Sequence, residues 1–181
     1  MTFTRHVSPD EVLRRYGVDP DAARTLARGE ASGLYDLALR GGTVLRAGTA
    51  GGWSFCYEDV GGAGSRPDAL GALSRGTETL SLLRGGDGTN HLAYWRDGER
   101  LDFEIDPRGG TSRHTGLAPA LRAITRHTGV SLGADDLEGP LLTAYLAEPA
   151  PRHSPVAGGT RTSAAERPPG AIRPSPPAKP R

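Results

Sequence analysis

The sequence predicts an α+β domain in which a central antiparallel sheet, with a hairpin at Asp97-Gly98, packs with N-terminal and C-terminal helices. Three observations predict it. Ser8-Pro9-Asp10-Glu11 is a helix start; Trp53, Phe55 and Tyr57 alternate with Ser54, Cys56 and Glu58 at the period of a strand; and Leu117, Leu121, Ile124 and Thr128 recur at helical spacing. Helices, then strands joined by short turns, then helices again differ from the βαβ alternation of a doubly wound sheet.

In the first helix Ser8 is placed to cap the Glu11 N–H, the Glu11 carboxylate to reach back, and Pro9 to sit where its missing donor costs nothing. Val7 and Val12 are placed as a hydrophobic staple; Val12, Leu13 and Tyr16 are buried, and the helix ends at Gly17. Asp19-Pro20-Asp21 restarts a second helix that carries Leu26 and stops near Gly29, and a third is expected around Leu34, Leu37 and Leu39. Thr43–Ala47 and Trp53–Glu58 follow as strands. Ser65-Arg66-Pro67-Asp68 opens a helix through Leu70 and Leu73 that closes at Gly76. Thr77–Arg84 reads as a strand and Gly85-Gly86-Asp87-Gly88 as a turn.

Thr89–Arg96 and Glu99–Ile105 then flank Asp97-Gly98, a two-residue hairpin turn. The turn sets the register: Tyr94 faces Leu101 and Leu92 faces Phe103 on the apolar side, while Trp95 faces Arg100, Ala93 faces Asp102 and His91 faces Glu104 on the other. Each pair contributes only about 0.2–1 kcal/mol, but together they hold one register. A helix over Leu117–Thr128 is closed by Gly129 with Val130 behind it. Asp135–Glu138 is a short helical turn, and Pro140 starts a last helix through Leu142, Tyr145 and Leu146.

Composition divides the chain. Residues 1–148 carry 16 Lys and Arg against 20 Asp and Glu, a net of −4; residues 149–181 carry six basic residues against Glu166 alone, a net of +5, and nine of the 15 prolines. Ordering a residue costs about 1–2 kcal/mol of backbone entropy. The last segment has only Val156 and Ile172 as large aliphatics to offset this, so 1–148 is expected to fold as one domain and 149–181 to form a disordered Pro/Arg-rich tail. Cys56 is the only cysteine, which excludes an intrachain disulfide. The N-terminus lacks the apolar stretch of a secretory signal, and no run approaches the roughly 18 apolar residues of a membrane span, so a cytoplasmic location is expected. Lys179 is the only lysine, and with abundant Gly, Ala and Pro this matches the coding bias of a high-GC bacterium.

Trp53 and Glu58 in a strand, Leu73-Ser74-Arg75-Gly76-Thr77, the Asn90 strand, Asp97-Gly98, Asp106-Pro107, and Leu117 through Thr128-Gly129-Val130-Ser131-Leu132 stand in a fixed order. From about Ser8 to Leu137 this resembles an uncharacterised actinobacterial family, domain of unknown function 6461. The sequence departs from the pattern at Asp59-Val60, where an Asn-Gly turn is expected. The resemblance implies a domain boundary and carries no chemistry.

The chemistry-bearing residues form few constellations. His91 across from Glu104, with Asp102 on the same face, has the composition of a base oriented by carboxylates, and would make a small hydrolase-like enzyme; a polar cross-strand pair accounts for the same residues. His114 and His127 have no partner at metal-ligand spacing, and His127 suits the end of a helix dipole. Cys56 has the place of a core filler, and Ser74 lies near a helix end rather than at a nucleophile elbow. Gly61-Gly62-Ala63-Gly64-Ser65 precedes a helix but lacks a phosphate-loop lysine. Trp95 over Arg100 has the composition of a binding hot spot.

No cofactor or metal motif is present, so the expected partner is another protein, bound by a non-enzymatic interaction or regulatory domain with an exposed patch around Trp95 and Arg100. An acidic body also suits an immunity-type protein that neutralises a basic toxin. The tail offers a proline-rich motif at Pro174–Lys179, and its charge attracts nucleic acid or an anionic surface.

Overall fold

An antiparallel sheet of nine strands organises the computed structural model, which describes residues 1–85, 89–101, 112–115 and 117–147. In chain order the elements are β1 (Thr2–Arg5), α1 (Pro9–Arg15), β2 (Arg24–Leu26), α2 (Ser32–Ala38), β3 (Thr43–Ala50), β4 (Trp53–Glu58), α3 (Pro67–Leu73), β5 (Glu78–Arg84), β6 (Thr89–Arg96), β7 (Glu99–Arg100), β8 (Ser112–Thr115), α4 (Leu117–Thr128), α5 (Ala134–Glu138) and β9 (Leu141–Leu146). The strands lie in the order β2-β9-β3-β4-β1-β5-β6-β7, with β8 also paired to β6. This is the α+β architecture that the sequence predicts. Among the described residues no helix is long and apolar enough to cross a membrane.

Both faces of the sheet are covered. On one, Val12 and Leu13 of α1, the following Tyr16, and Leu70 and Leu73 of α3 pack over Leu45, Ala47, Cys56 and Ala144. On the other, Ala120 and Ile124 of α4 and the following Val130 cover Phe3, Trp53, Phe55, Leu80, Leu82, Leu92 and Tyr94. Each fully buried large apolar side chain contributes about 1.5–3 kcal/mol. The alternation read in Trp53–Glu58 therefore does not mark a wet face: Trp53, Ser54, Phe55 and Cys56 are all buried. Ser54 is satisfied under α1 by donating to the Val7 carbonyl at 2.5 Å. Opposite Phe55, Gly48 lets the ring lie flat on the strand; a Cβ there would stand 2.7 Å from Phe55 Cζ and Leu141 Cδ2.

The helix starts follow local chemistry. The Glu11 N–H donates to Ser8 Oγ at 3.2 Å, as expected. The Glu11 carboxylate does not reach back to close the capping box; Arg15 Nε donates to it at 2.8 Å, and Arg14 donates as well. Arg15 Nη1 then donates to the carbonyls of Leu73 (2.7 Å) and Arg75 (2.9 Å), tying α1 to the end of α3. Ser8→Ala is expected to lower stability by about 1 kcal/mol, read as a drop in urea midpoint at unchanged m-value.

The Asp97-Gly98 hairpin turns with positive φ at both residues, +51° and +86°, the geometry of a type I′ turn. Trp95 faces Arg100 and Arg96 faces Glu99, in the expected register. The tip is stitched to the α3–β5 corner: Asp97 Oδ1 accepts the Gly76 N–H at 2.9 Å, and the Gly98 N–H donates to Ser74 Oγ at 3.0 Å.

Three segments depart from the reading of the sequence. The N-terminus forms β1, a central strand between β4 and β5, where Phe3 faces Phe55 and Leu80. The helix expected through Leu26 is a 3-10 turn at Pro20–Ala22 followed by β2. The helix expected from Pro140 is β9, paired to β3 on one side and β2 on the other. Leu142, Tyr145 and Leu146 have helical spacing, but a short apolar run fits either period. Ladder hydrogen bonds on both edges decide for the strand. The tail 149–181, Phe103 and most of the Gly85–Gly88 turn lie outside the described residues.

Candidate functional site

Four residues from three elements converge on Glu78 at one end of the sheet. Arg5 Nη1 donates to its Oε1 at 2.8 Å and the Tyr94 hydroxyl donates to its Oε2 at 2.5 Å. Arg96 Nη2 and His127 Nε2 stand 3.6 and 3.7 Å from Oε2, and Arg96 also donates to the Tyr94 hydroxyl. The His127 ring meets Tyr94 and Trp53 edge-on, at centroid distances of 5.1 and 6.3 Å. Burial raises the Glu78 pKa, but the Tyr94 hydroxyl and the Arg5 guanidinium outweigh it, so the carboxyl titrates below its usual range. The cluster holds a carboxylate ionised and fastens the end of α4 to the sheet. His127 belongs to it, a role that the helix-dipole reading missed because Glu78 lies far away in the sequence.

The other sequence candidates are scattered. His91 is half-buried on β6, where Arg113 of β8 pairs with it; its expected partner Glu104 lies outside the described residues. On the same edge of β6, Leu92 pairs with Ser112 of β8. Asp102 and Glu104 lie outside the described residues, and so does the His114 side chain. Trp95 does stand beside Arg100 across the strands, but it is half-buried in the core under α1 and α3, with its indole N–H buried and unpartnered. Arg100 alone of the two is exposed. Cys56 is fully buried, and burial, aided by the Glu58 carboxylate, pushes its thiol far above the range in which a thiolate forms. Ser74 is also fully buried and donates to the Leu70 carbonyl at 2.9 Å. Among the described residues no group of three or more His, Cys, Asp or Glu is placed to hold a metal ion.

An open groove of about 610 Å³ runs beside α2, lined by Arg28, Ser32, Tyr35, Leu39, Asp59, Val60 and Glu138. Arg28 forks onto Asp59, with Nε to Oδ2 and Nη2 to Oδ1 both at 3.0 Å, and its Nη1 also donates to Glu138. Tyr57 and Tyr35 lie near the same carboxylate; burial first and Asp59 second push Tyr57 up to about 12 and raise Tyr35 as well. Leu39 ends α2 and is 74% exposed, and Leu37 is 44% exposed. The sequence reading placed both leucines in a helix and did not say which face they take. Only the packing of Ala31 and Ala38 inward, with the leucines turned out, marks the groove.

The chain matches a family of unknown function, DUF6461, over residues 1–139. It belongs to that family. The DUF6461 match takes in β1, which the resemblance read from Ser8 onward leaves out, and stops at Gly139, one residue short of Pro140 and the β9 strand that completes the sheet. No curated protein matches the chain, and no solved structure does.

Proposed function

We propose that this DUF6461 domain acts by binding another protein in the groove beside α2, and that its polar clusters serve the fold rather than turnover. The observation that carries this is Leu39, a large apolar side chain left 74% exposed in a groove that it lines together with the Arg28–Asp59–Glu138 ion cluster. An exposed apolar side chain beside Tyr, Arg and paired charges has the composition of a protein interface. The net of −4 over residues 1–148 favours a basic partner. The Glu78 cluster, by contrast, already occupies its carboxylate with its own arginines and tyrosine.

The test places a photo-crosslinking residue at position 39 and, as a control, at the exposed Asp10. A single adduct with a basic protein is expected from position 39 alone. Leu39→Asp is expected to weaken binding of that protein by about tenfold or more, the loss of an interface anchor. The same adducts from both positions, or unchanged affinity in Leu39→Asp, would sink the reading.

A further inference from the structure

A second concavity adjoins the α2 groove at Asp59, where the residues after β4 face the end of β5 and the α4–α5 connection. It measures about 500 Å³, within the range of small-ligand pockets. Its lining is polar at Glu58, Ser65, Ser81 and the backbone of Gly61, Gly62 and Gly64, and apolar along a leucine wall of Leu82, Leu83, Leu121, Leu132 and Leu137. Leu83 is 37% exposed, so this wall is open to solvent at its mouth.

Hydrogen-bond accounting singles out one group in this lining. Glu58 Oε1 accepts the Gly64 N–H at 2.8 Å and the Tyr16 hydroxyl at 3.4 Å. Glu58 Oε2 is buried and has no hydrogen-bond partner; it is the one carboxylate oxygen in that condition among the described residues. A buried acceptor without a donor costs about 1–3 kcal/mol, and more when charged. The other charges of the lining are engaged or peripheral. The Met1 ammonium donates to the Leu82 carbonyl at 2.9 Å, Asp59 is forked by Arg28, and Arg84 is exposed at the end of β5.

We infer that this cleft binds a small amphiphile with a cationic, hydrogen-bond-donating head and an aliphatic body: the head supplies the donor that Glu58 Oε2 lacks, and the body lies along the leucine wall. Oε1 stays with the Gly64 N–H, and Oε2 is the oxygen left for the head. An ammonium suits it better than a hydroxyl, because charge-assisted bonds are about twice as strong.

The test uses octylamine as the probe, with octanoate as its anionic counterpart, titrated calorimetrically into the full chain. Saturable binding of octylamine at one site is expected, at least about tenfold tighter than octanoate and weakened about tenfold in Glu58→Gln, which keeps the acceptor for Gly64 but removes the charge. Equal binding of the two probes, no saturable binding of octylamine, or unchanged affinity in a folded Glu58→Gln variant would overturn the inference. Amide NMR of the unmutated protein gives an independent reading. Octylamine is expected to shift Gly61, Gly62, Ser65, Leu82 and Leu132; shifts confined to Tyr35, Leu39 and Val60 would place the probe in the α2 groove and overturn the inference while leaving the protein-binding reading intact.

Discussion

Replacing Arg46 by methionine is expected to destabilise the domain by about 3 kcal/mol, through loss of a buried hydrogen-bonded charge and the carbonyls it serves. Arg46 lies on β3, only 1% exposed. Its Nη2 donates to the carbonyls of Leu26 (3.0 Å) and Gly139 (2.8 Å), and its Nη1 donates to the carbonyl of Leu137. One guanidinium therefore ties the end of β2 and the end of α5 to the middle of the sheet. Methionine fills a similar volume but leaves three carbonyls without that donor. Lysine is a point charge on a flexible stem and cannot span the same three acceptors, so Arg46→Lys is expected to recover only part of the loss. Urea unfolding measures the effect, and hydrogen exchange locates it: the amides of Arg24–Leu26 are expected to lose protection first. A change under about 1 kcal/mol, or loss of protection spread evenly over the sheet, would refute the clamp.

Glu78→Ala is expected to cost about 2–4 kcal/mol at neutral pH, because it removes the acceptor shared by Tyr94 and Arg5 and the carboxylate facing Arg96 and His127. The pH dependence identifies the mechanism. The folded carboxyl titrates below its ordinary value of 4.5. A depressed carboxyl contributes stability that is fully present above the ordinary value and is lost as pH falls through the folded one. The stability gap between Glu78 and its alanine variant is therefore expected to be constant from neutral pH down to about pH 5 and to narrow below it. A gap that stays constant down to pH 3 would show that the side chain acts by packing alone. Glu78→Gln, similar in shape but uncharged, is expected to fall between the two at pH 7 and to show the same narrowing.

Where the chain carries its own local instructions, the sequence was readable. Ser8 before Pro9 caps α1, Asp97-Gly98 turns the hairpin in the expected register, and the spacing from Leu117 to Thr128 marks α4. Each rests on groups close together in the chain, and local geometry leaves them few alternatives. The candidate sites were less readable. Extending the hairpin pairs His91 with Glu104, which lies outside the described residues, and gives no sign of β8, whose Arg113 pairs with His91. Glu78 draws its partners from positions 5, 94, 96 and 127, and no spacing rule connects those numbers.

What the sequence determined by itself is the α+β class, the helix starts and the central hairpin, because propensity, capping and turn chemistry act over a few residues. Tertiary structure alone decided that Thr2–Arg5, Arg24–Leu26 and Leu141–Leu146 are strands. It also decided that Arg46, in a run that reads only as a strand, is buried, and that Leu39 is not. These outcomes share one cause: a short segment takes the conformation whose backbone groups find partners, and in a sheet those partners come from distant parts of the chain.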